Sequence, residues 1–304
     1  MTLTGEVIKN IIKRVIKSED YRIEIVNLIN IEFLQFSVDF FKKIVEAKLN
    51  SEDITIEWYK KYFMSESLSS KDIAINSGLN TKTIGNMYGS ASRSIVIEAS
   101  NEHFESLYQS IQNLIEIEED IDLTLTIKLK GVSVDLNVSE SLIVINTLAV
   151  KRAALRGGLW STAGKSAEKY LMITLCKLFE VPEQNYDASN FVKNKDKKVD
   201  REIDFYLIDN NSKKYLCEVK LMGKGNPESA DAIIARNTNI FIADTLSQQN
   251  KNQCDDLGIS WIALRDNNGF KKFKYILDKL NIPHKEYIGN LDEDLIKILD
   301  KLLD

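Results

Sequence analysis

The sequence is poor in the residues that form disulfide bonds or bind zinc. Its 304 residues include three cysteines and two histidines. Cys176 and Cys217 lie within the apolar runs LMITLCKLF and YLCEV, and Cys254 is far from both in the sequence. This pattern predicts free thiols instead of disulfide bonds. A histidine-based zinc site is disfavoured because His103 and His284 are too few to supply its ligands.

The sequence also lacks any hydrophobic run that approaches the roughly 20 residues needed to cross a bilayer. Its first segment, MTLTGEVIKNIIKRVIK, predicts an amphipathic helix without the long apolar centre of a signal peptide. Hydrophobic residues make up 44% of the chain and only three prolines occur, so one large core or two modest cores can form. We therefore expect a water-soluble protein of the bacterial cytoplasm.

Positive charge is concentrated in one segment. The formal net charge of -5 argues against a protein that coats DNA over its whole surface. Residues 151–224, however, contain 15 Lys and Arg against 10 Asp and Glu. Phosphate-binding surfaces need such a local excess. The stretch FVKNKDKKVDR within it fits an ordinary solvated lysine-rich loop equally well.

The hydrophobic pattern changes near residue 120 and divides the chain into two predicted domains. Residues 1–120 are expected to be helical, because YRIEIVNLINIEFLQFSVDFFKKIVEAKL and SIVIEASNEHFESLYQSIQNLIEI carry apolar residues at three- and four-residue steps. Residues 121–304 begin with a two-stranded element near 122–136. The predicted fold class is α/β (α+β), with a central mixed sheet flanked by helices and an all-α domain before it. The later predicted elements are helices at about 138–155 and 164–180, a hairpin at 201–223, a helix near 228–236, the strand NIFIAD, a helix near 245–257 and the strand ISWIAL.

The hairpin REIDFYLIDNNSKKYLCEVKLMG places charged residues in a segment whose apolar alternation is typical of a sheet. Residues two apart in a strand face the same side, so Glu218 and Lys220 are predicted to project together. If the turn centres on Asn211, Asp204 falls opposite Glu218, whereas a slip of one residue would separate them. The sequence thus predicts three charged groups on one face of the sheet.

These charged groups suit metal-dependent phosphodiester hydrolysis. Two neighbouring carboxylates repel each other and favour a cation between them. Oxygen ligands suit Mg²⁺, which is held by one or two carboxylates together with substrate phosphate. Lys220 would supply a positive charge that orients or activates the attacking water, or that stabilises the pentavalent phosphorus. We interpret the hairpin as a Mg²⁺ site at which Mn²⁺ can substitute.

The arrangement resembles the PD-(D/E)XK nuclease superfamily, in which an acidic residue on one strand is followed by (D/E)-X-K on the next. Asp204 in EIDF and the triplet EVK match, with isoleucine in place of the proline. The resemblance implies that Asp204, Glu218, Lys220 and Glu168 are catalytic, and that the three carboxylates bind the metal. The alternative is a surface ion pair between Glu218 and Lys220, although a carboxylate on such an apolar strand is expensive to bury.

The segment GGLWSTAGKS looks like a phosphate-binding loop but has the wrong spacing. Five residues separate Gly158 from Gly164, where the pattern G-x-x-x-x-G-K-[ST] allows four. The segment also follows a predicted helix and not a strand. We therefore interpret Gly164 as the start of the helix that carries Glu168, and we expect Lys165 or Lys169 to contact DNA phosphate.

The segment SKDIAINSGLNTKTIGNMYGSASR has the spacing of a helix-turn-helix. Ala74 permits close helix contact, Gly78 makes the turn, and Ile84 and Met87 are predicted to anchor the second helix. The segment resembles the motif of regulators, with a second helix at about Thr81–Tyr88; a plain helical hairpin is the alternative. The side chains expected to contact DNA are Asn80, Thr81, Lys82, Thr83, Asn86 and, just after the motif, Arg93.

The lines GNMYGSASRSIVIEASNEHF and GGLWSTAGKSAEKYLMITLCKLF, together with the nuclease pattern, resemble type II restriction enzymes of the CfrBI kind, whose target resembles CCWWGG. The resemblance implies Mg²⁺-dependent, sequence-specific hydrolysis of double-stranded DNA. A palindromic target implies a homodimer. The resemblance also implies a cognate DNA methyltransferase in the host, which is not expected to be a stable subunit.

Two other functions fit the same features. A repair or recombination nuclease would recognise DNA structure instead of sequence, and it would leave intact plasmid uncut. A non-catalytic transcriptional regulator would bind DNA through the helix-turn-helix and use Glu218 and Lys220 only as a structural pair. Metal-dependent cleavage would be absent in that case.

Overall fold

A computed structural model describes residues 3–117, 123–188, 205–221 and 238–303 of the chain. Most of these residues are helical. The prediction of helices in the first half of the chain is confirmed. The α-helices in the described segments are α1 (Leu3–Ile16), α2 (Arg22–Leu49), α3 (Ile56–Phe63), α4 (Ser70–Ser77), α5 (Thr81–Tyr88), α6 (Arg93–Ile117), α7 (Val138–Leu178), α8 (Gln248–Asp256), α9 (Lys272–Lys279) and α10 (Leu291–Leu303).

The chain forms two compact units. One consists of Ile29–Trp160, and the other combines Met1–Leu28 with Ser161–Asp304. These bounds differ from the division near residue 120 that the hydrophobic pattern suggests. The reason is that both unit boundaries fall inside long helices, α2 and α7, where the helical pattern continues without a break.

The unit Ile29–Trp160 is packed around aromatic side chains. Phe40 and Phe63 meet edge to face with ring centroids 5.0 Å apart, and Tyr59 stacks on Phe104 at 4.3 Å. All four side chains are buried. Such ring pairs stabilise a core beyond the area that they bury, which explains how a largely helical unit holds together.

The predicted two-stranded element lies in the same unit. Strands β1 (Leu125–Leu129) and β2 (Val132–Leu136) pair in antiparallel register. Lys130 and Gly131 connect them with positive φ angles of 49° and 86°. Two successive residues in this region make the tight turn that joins twisted strands, and glycine adopts it without strain.

Helices α4 and α5 have eight residues each and are joined by a short turn that begins at Gly78. Gly78 has a φ of +96°, and an added Cβ would lie 3.3 Å from His103 Nε2, so backbone and packing both favour glycine there. The predicted second helix forms with the bounds Thr81–Tyr88. A small buried cluster packs α4, α5 and α6 together; its members are Ala74, Ile84, Val96 and Ala99.

The other unit is built on a mixed five-stranded sheet with the order β3-β4-β5-β6-β7, so the predicted mixed sheet is confirmed. β3, β4 and β5 pair antiparallel, whereas β5, β6 and β7 pair parallel. The short edge strand β3 was not predicted. The strands are β3 (Tyr186–Asp187), β4 (Phe205–Ile208), β5 (Lys214–Lys220), β6 (Ile240–Ala243) and β7 (Ser260–Ala263).

Strands β4 and β5 form the predicted hairpin. Their pairs run from Phe205 with Cys217 to Ile208 with Lys214. This register centres the turn on Asn211, which confirms the predicted register for the described part of the hairpin. A shift of one residue would have turned every side chain of one strand to the opposite face.

Helix α7 is continuous over Val138–Leu178, whereas the sequence predicted two helices separated by RGGLWSTAGK. That prediction is wrong, and so is the placement of a helix start at Gly164. Glycine lowers helix stability by only about 1 kcal/mol relative to alanine, and the segment contains no proline that would interrupt the hydrogen-bond ladder. Because the segment is helical, it does not form a phosphate-binding loop.

The remaining elements follow the prediction in part. NIFIAD and ISWIAL form β6 and β7, and the helix expected near 245–257 forms α8. The helix expected near 228–236 lies outside the described residues. Helices α9 and α10 were not predicted from the hydrophobic pattern.

The three cysteines are free, as predicted, and the structure shows that all three are buried. Burial raises the pKa of Cys254 to about 11, so this thiol stays protonated at neutral pH. Within the described segments, no helix combines the length and the apolar character needed to cross a membrane.

Candidate active site

Glu218 and Lys220 lie where β5 ends. β5 pairs in parallel with β6, and Lys220 is opposite Ala243 in that pairing. In α/β proteins, substrates bind in the crevice outside the carboxyl ends of parallel strands. The two charged residues therefore occupy the edge of the sheet at which a substrate site is expected.

The side chains of Glu218 and Lys220 contact each other, as their two-residue spacing predicts. Lys220 Nζ lies 2.9 Å from Glu218 Oε1. Glu218 is 1% exposed and the Lys220 side chain 20% exposed, so this is not an ordinary surface ion pair. Removing a carboxylate from water is costly unless charge and hydrogen bonds compensate. Glu218 is therefore either a functional carboxylate or one member of a structural ion pair.

Glu168 reaches the same strand end from α7. It is 8% exposed, and its Oε1 accepts a hydrogen bond from the Leu221 N–H at 3.0 Å. Leu221 directly follows Lys220, so the carboxylate of α7 contacts the residue that comes after the EVK triplet. Lys165 lies one turn earlier on α7 and is exposed, a position in which a phosphate could reach it.

Asp204, the remaining predicted catalytic residue, lies outside the described residues, as does the lysine-rich stretch FVKNKDKKVDR. Its neighbour in the sequence, Phe205, pairs with Cys217, and Cys217 is the neighbour of Glu218. The strand pairing that the structure describes therefore ends one residue before the predicted pair of Asp204 and Glu218. The location of Asp204 opposite Glu218 stays a prediction.

The described parts of the chain contain no group of three or more His, Cys, Asp and Glu side chains that could hold a metal ion. Two of the three predicted ligands, Glu168 and Glu218, belong to these parts, and both are buried near the end of β5. Carboxylate oxygens are the donors that Mg²⁺ prefers. The donor chemistry therefore fits Mg²⁺, with Asp204 as the predicted third carboxylate.

Sequence reasoning missed two buried residues at this strand end. The hydroxyl of Tyr21, directly before α2, donates to the Leu221 carbonyl at 2.7 Å. Asp244, directly after β6, donates its backbone N–H to the Lys220 carbonyl at 3.3 Å. Both residues are 1% exposed. The acidic residue that ends NIFIAD was a usable signal for Asp244, whereas nothing in the sequence connects Tyr21 with a residue 200 positions away.

Helix α5 presents a mixed surface. Ile84 is buried as predicted, but Met87 is 64% exposed and does not anchor the helix. The prediction for Met87 is wrong because the cluster under α5 is small and the last turn of the helix extends past it. The predicted DNA-contacting side chains on α5 are exposed or partly exposed: Thr81, Lys82, Thr83 and Asn86.

Two of the predicted DNA-contacting residues also have structural hydrogen bonds. Asn80 is the N-cap of α5, where its Oδ1 accepts the Thr83 N–H at 2.8 Å. The Arg93 guanidinium donates to the Leu68 carbonyl at 3.1 Å and to the Glu66 carbonyl. Asn80 and Arg93 are both exposed, and their contacts with DNA stay predictions.

Comparison with known protein families gives a match over most of the chain. A family model described as the CfrBI restriction endonuclease matches residues 5–251. The matched range includes α4, α5 and the residues at the end of β5. No curated protein and no solved structure matches the chain.

Proposed function

Because this chain belongs to the CfrBI restriction endonuclease family, we propose that it is a type II enzyme that hydrolyses double-stranded DNA at a specific sequence with Mg²⁺ or Mn²⁺. One observation carries the assignment of the site. Glu218 is buried near the end of β5 and forms an ion pair with Lys220, and Glu168 accepts a hydrogen bond from Leu221, the residue after Lys220. These residues lie inside the range that matches the family.

Each side chain at the site has a role in this proposal. Asp204, Glu218 and Glu168 would hold Mg²⁺, which when bound offsets phosphate charge and lowers the pKa of a bound water. Lys220 places its ammonium group beside Glu218, where it orients the attacking water and stabilises charge that develops on the phosphate. Lys165 contacts a DNA phosphate, which adds affinity but carries no sequence information.

Sequence recognition and partners complete the proposal. Helix α5 enters the major groove, where Asn86 can read an adenine with two hydrogen bonds. A palindromic target, for which CCWWGG is the first sequence to test, requires a twofold-symmetric enzyme, so we propose a homodimer. A separate methyltransferase in the bacterial cytoplasm would protect the host DNA.

Cleavage of intact DNA tests the proposed function. The purified protein with Mg²⁺ should cut plasmid and phage DNA into discrete fragments, and sequencing of the ends should give one recurrent sequence. A structure-specific nuclease would leave the plasmid intact and cut flaps or junctions. A regulator would bind DNA without Mg²⁺-dependent cleavage, and either result would overturn the proposal.

Two substitutions in the proposed helix-turn-helix are expected to distinguish contacts with bases from contacts with phosphates. Asn86→Ala should weaken binding to the target by about 1–3 kcal/mol and relax the choice of base at one position. Lys82→Ala should weaken binding to all sequences and reduce the salt dependence of the affinity by about one counterion. Titrations of target and random DNA in Ca²⁺ at several salt concentrations measure both effects.

The control variants for this prediction are chosen from the ion pairs and hydrogen bonds of the structure. Lys42 is an exposed lysine of α2 that pairs with Asp39 at 3.2 Å, so Lys42→Ala should leave DNA affinity unchanged. Asn80→Ala should cost about 1 kcal/mol of stability through the lost cap, and Asn80→Asp should retain the cap. Unchanged affinity and specificity in both Asn86→Ala and Lys82→Ala would make α4 and α5 a packing element.

A further inference from the structure

Leu221, the residue directly after Lys220, is held by hydrogen bonds on both sides of its backbone. Its N–H donates to Glu168 Oε1 at 3.0 Å, and its carbonyl accepts a hydrogen bond from the Tyr21 hydroxyl at 2.7 Å. The Leu221 side chain is itself buried. The path of the chain after the proposed catalytic lysine is therefore fixed by Tyr21 and Glu168 together.

Tyr21 is a hydrogen-bond donor here and not a base. Burial raises the pKa of Tyr21 well above its ordinary value, and the nearby carboxylates of Asp244 and Glu168 act in the same direction. The hydroxyl therefore keeps its proton throughout the neutral range.

A shift of Leu221 would displace two functional groups at once. Glu168 receives the Leu221 N–H, and Lys220 is the preceding residue. A buried carbonyl that loses its donor is left unsatisfied at a cost in free energy, so the segment gains by moving if the Tyr21 hydroxyl is removed. Groups that act on a substrate must be held to within about 0.5 Å of their working positions.

We propose that Tyr21 is a positioning residue of the cleavage site, which fixes Glu168 and Lys220 relative to each other through the backbone of Leu221. The inference rests on the proposed function. It gives the segment between α1 and α2 a part in metal-dependent cleavage, although Tyr21 is neither a metal ligand nor in contact with the reacting atoms.

Tyr21→Phe removes the hydroxyl and keeps the ring. Single-turnover cleavage at saturating DNA and Mg²⁺ should slow by about 10–100-fold, the range for residues that orient metal ligands. DNA affinity in Ca²⁺ should not change, because no DNA contact is lost. A second readout requires no cleavage: without DNA, the rise in melting temperature at a given Mn²⁺ concentration should be smaller than in the wild type, because the metal binds more weakly.

Tyr59→Phe is the matched control. Tyr59 is also buried, and its hydroxyl donates to a backbone carbonyl, that of Asn76, at 2.8 Å. Both variants lose a comparable hydrogen bond, so both should melt at a lower temperature than the wild type. Only Tyr21→Phe should change the cleavage rate and the rise in melting temperature that Mn²⁺ causes. An unchanged cleavage rate and an unchanged Mn²⁺-dependent rise in Tyr21→Phe, with lower stability alone, would overturn the inference.

A double variant tests the role of Tyr21 even if Tyr21→Phe lowers the stability of the protein. If Tyr21 acts in large part through Glu168, Tyr21→Phe should slow cleavage less in the Glu168→Gln background than in the wild type. Fully additive effects, measured below the melting transition of each variant, would contradict the role. Absence of Mg²⁺-dependent cleavage in the wild type would contradict the proposed function itself, which is a different outcome.

Discussion

Replacing Lys220 by alanine is expected to slow cleavage by about 10²–10³-fold, while specific binding in Ca²⁺ stays close to wild type. The reason is that a positive charge beside the reacting phosphate matters most where negative charge develops, and that charge is larger in the transition state than in bound DNA. Single-turnover cleavage and equilibrium binding, measured on the same DNA, separate the two effects.

Stability must be measured alongside, because Lys220 also lies 2.9 Å from the buried Glu218. Loss of one partner of a buried ion pair destabilises a protein, so Lys220→Ala should melt at a lower temperature. Lys214 on the same strand is the control: it is exposed and pairs with Asp187 at 3.2 Å, and Lys214→Ala should cleave normally. Near-normal cleavage by folded Lys220→Ala would show that the pair with Glu218 is structural.

The hairpin of β4 and β5 could be predicted from the sequence because its determinants are local. Alternating apolar residues specify which face of each strand is buried, and the Asp-Asn-Asn-Ser segment at 209–212 specifies the turn. Together they fix the pairing of Phe205 with Cys217. The contact between Glu218 and Lys220 follows from a spacing of two residues.

Helix α7 was mispredicted for a reason that is also local. Gly157, Gly158 and Gly164 suggested a loop, and each lowers helix propensity. The flanking segments are long and strongly helical, so a few glycines do not end the helix. Propensity is outweighed where packing continues on both sides of a weak segment.

The rest of the strand end depends on contacts between distant parts of the chain. Tyr21 and Leu221 are 200 residues apart, and Asp244 reaches Lys220 only because β5 and β6 pair in parallel. A hydrophobic pattern reports which face of an element is buried and not which element covers it. The positions of Tyr21 and Asp244 at the end of β5 could therefore be found only from the structure.

Asp204→Asn is expected to remove cleavage and to weaken the rise in melting temperature that Mn²⁺ causes in the wild type. A metal that binds only the folded protein stabilises it by about 2.7 kcal/mol at 100 times its dissociation constant. If Asp204 and Glu218 are neighbours, they repel each other without a cation, so the metal-free variant should be as stable as the wild type or slightly more stable. Glu168→Gln should show a smaller loss of the metal response, because Glu168 Oε1 already accepts the Leu221 N–H.

Asp209 provides the contrasting case, since Asp204 and Asp209 flank the four residues of β4 in the sequence. Asp209 Oδ1 accepts the backbone N–H of Lys213 at 2.9 Å and that of Asn211 at 2.8 Å, and these bonds hold the pKa of Asp209 below its ordinary value. Asp209→Asn should therefore lower the melting temperature of the metal-free protein and leave the Mn²⁺ response intact. Melting curves of both variants, with and without Mn²⁺, distinguish a ligand from a turn-stabilising carboxylate. If Asp204→Asn behaves as Asp209→Asn does, then Asp204 is a structural partner of the hairpin, and the end of β5 is not the metal site.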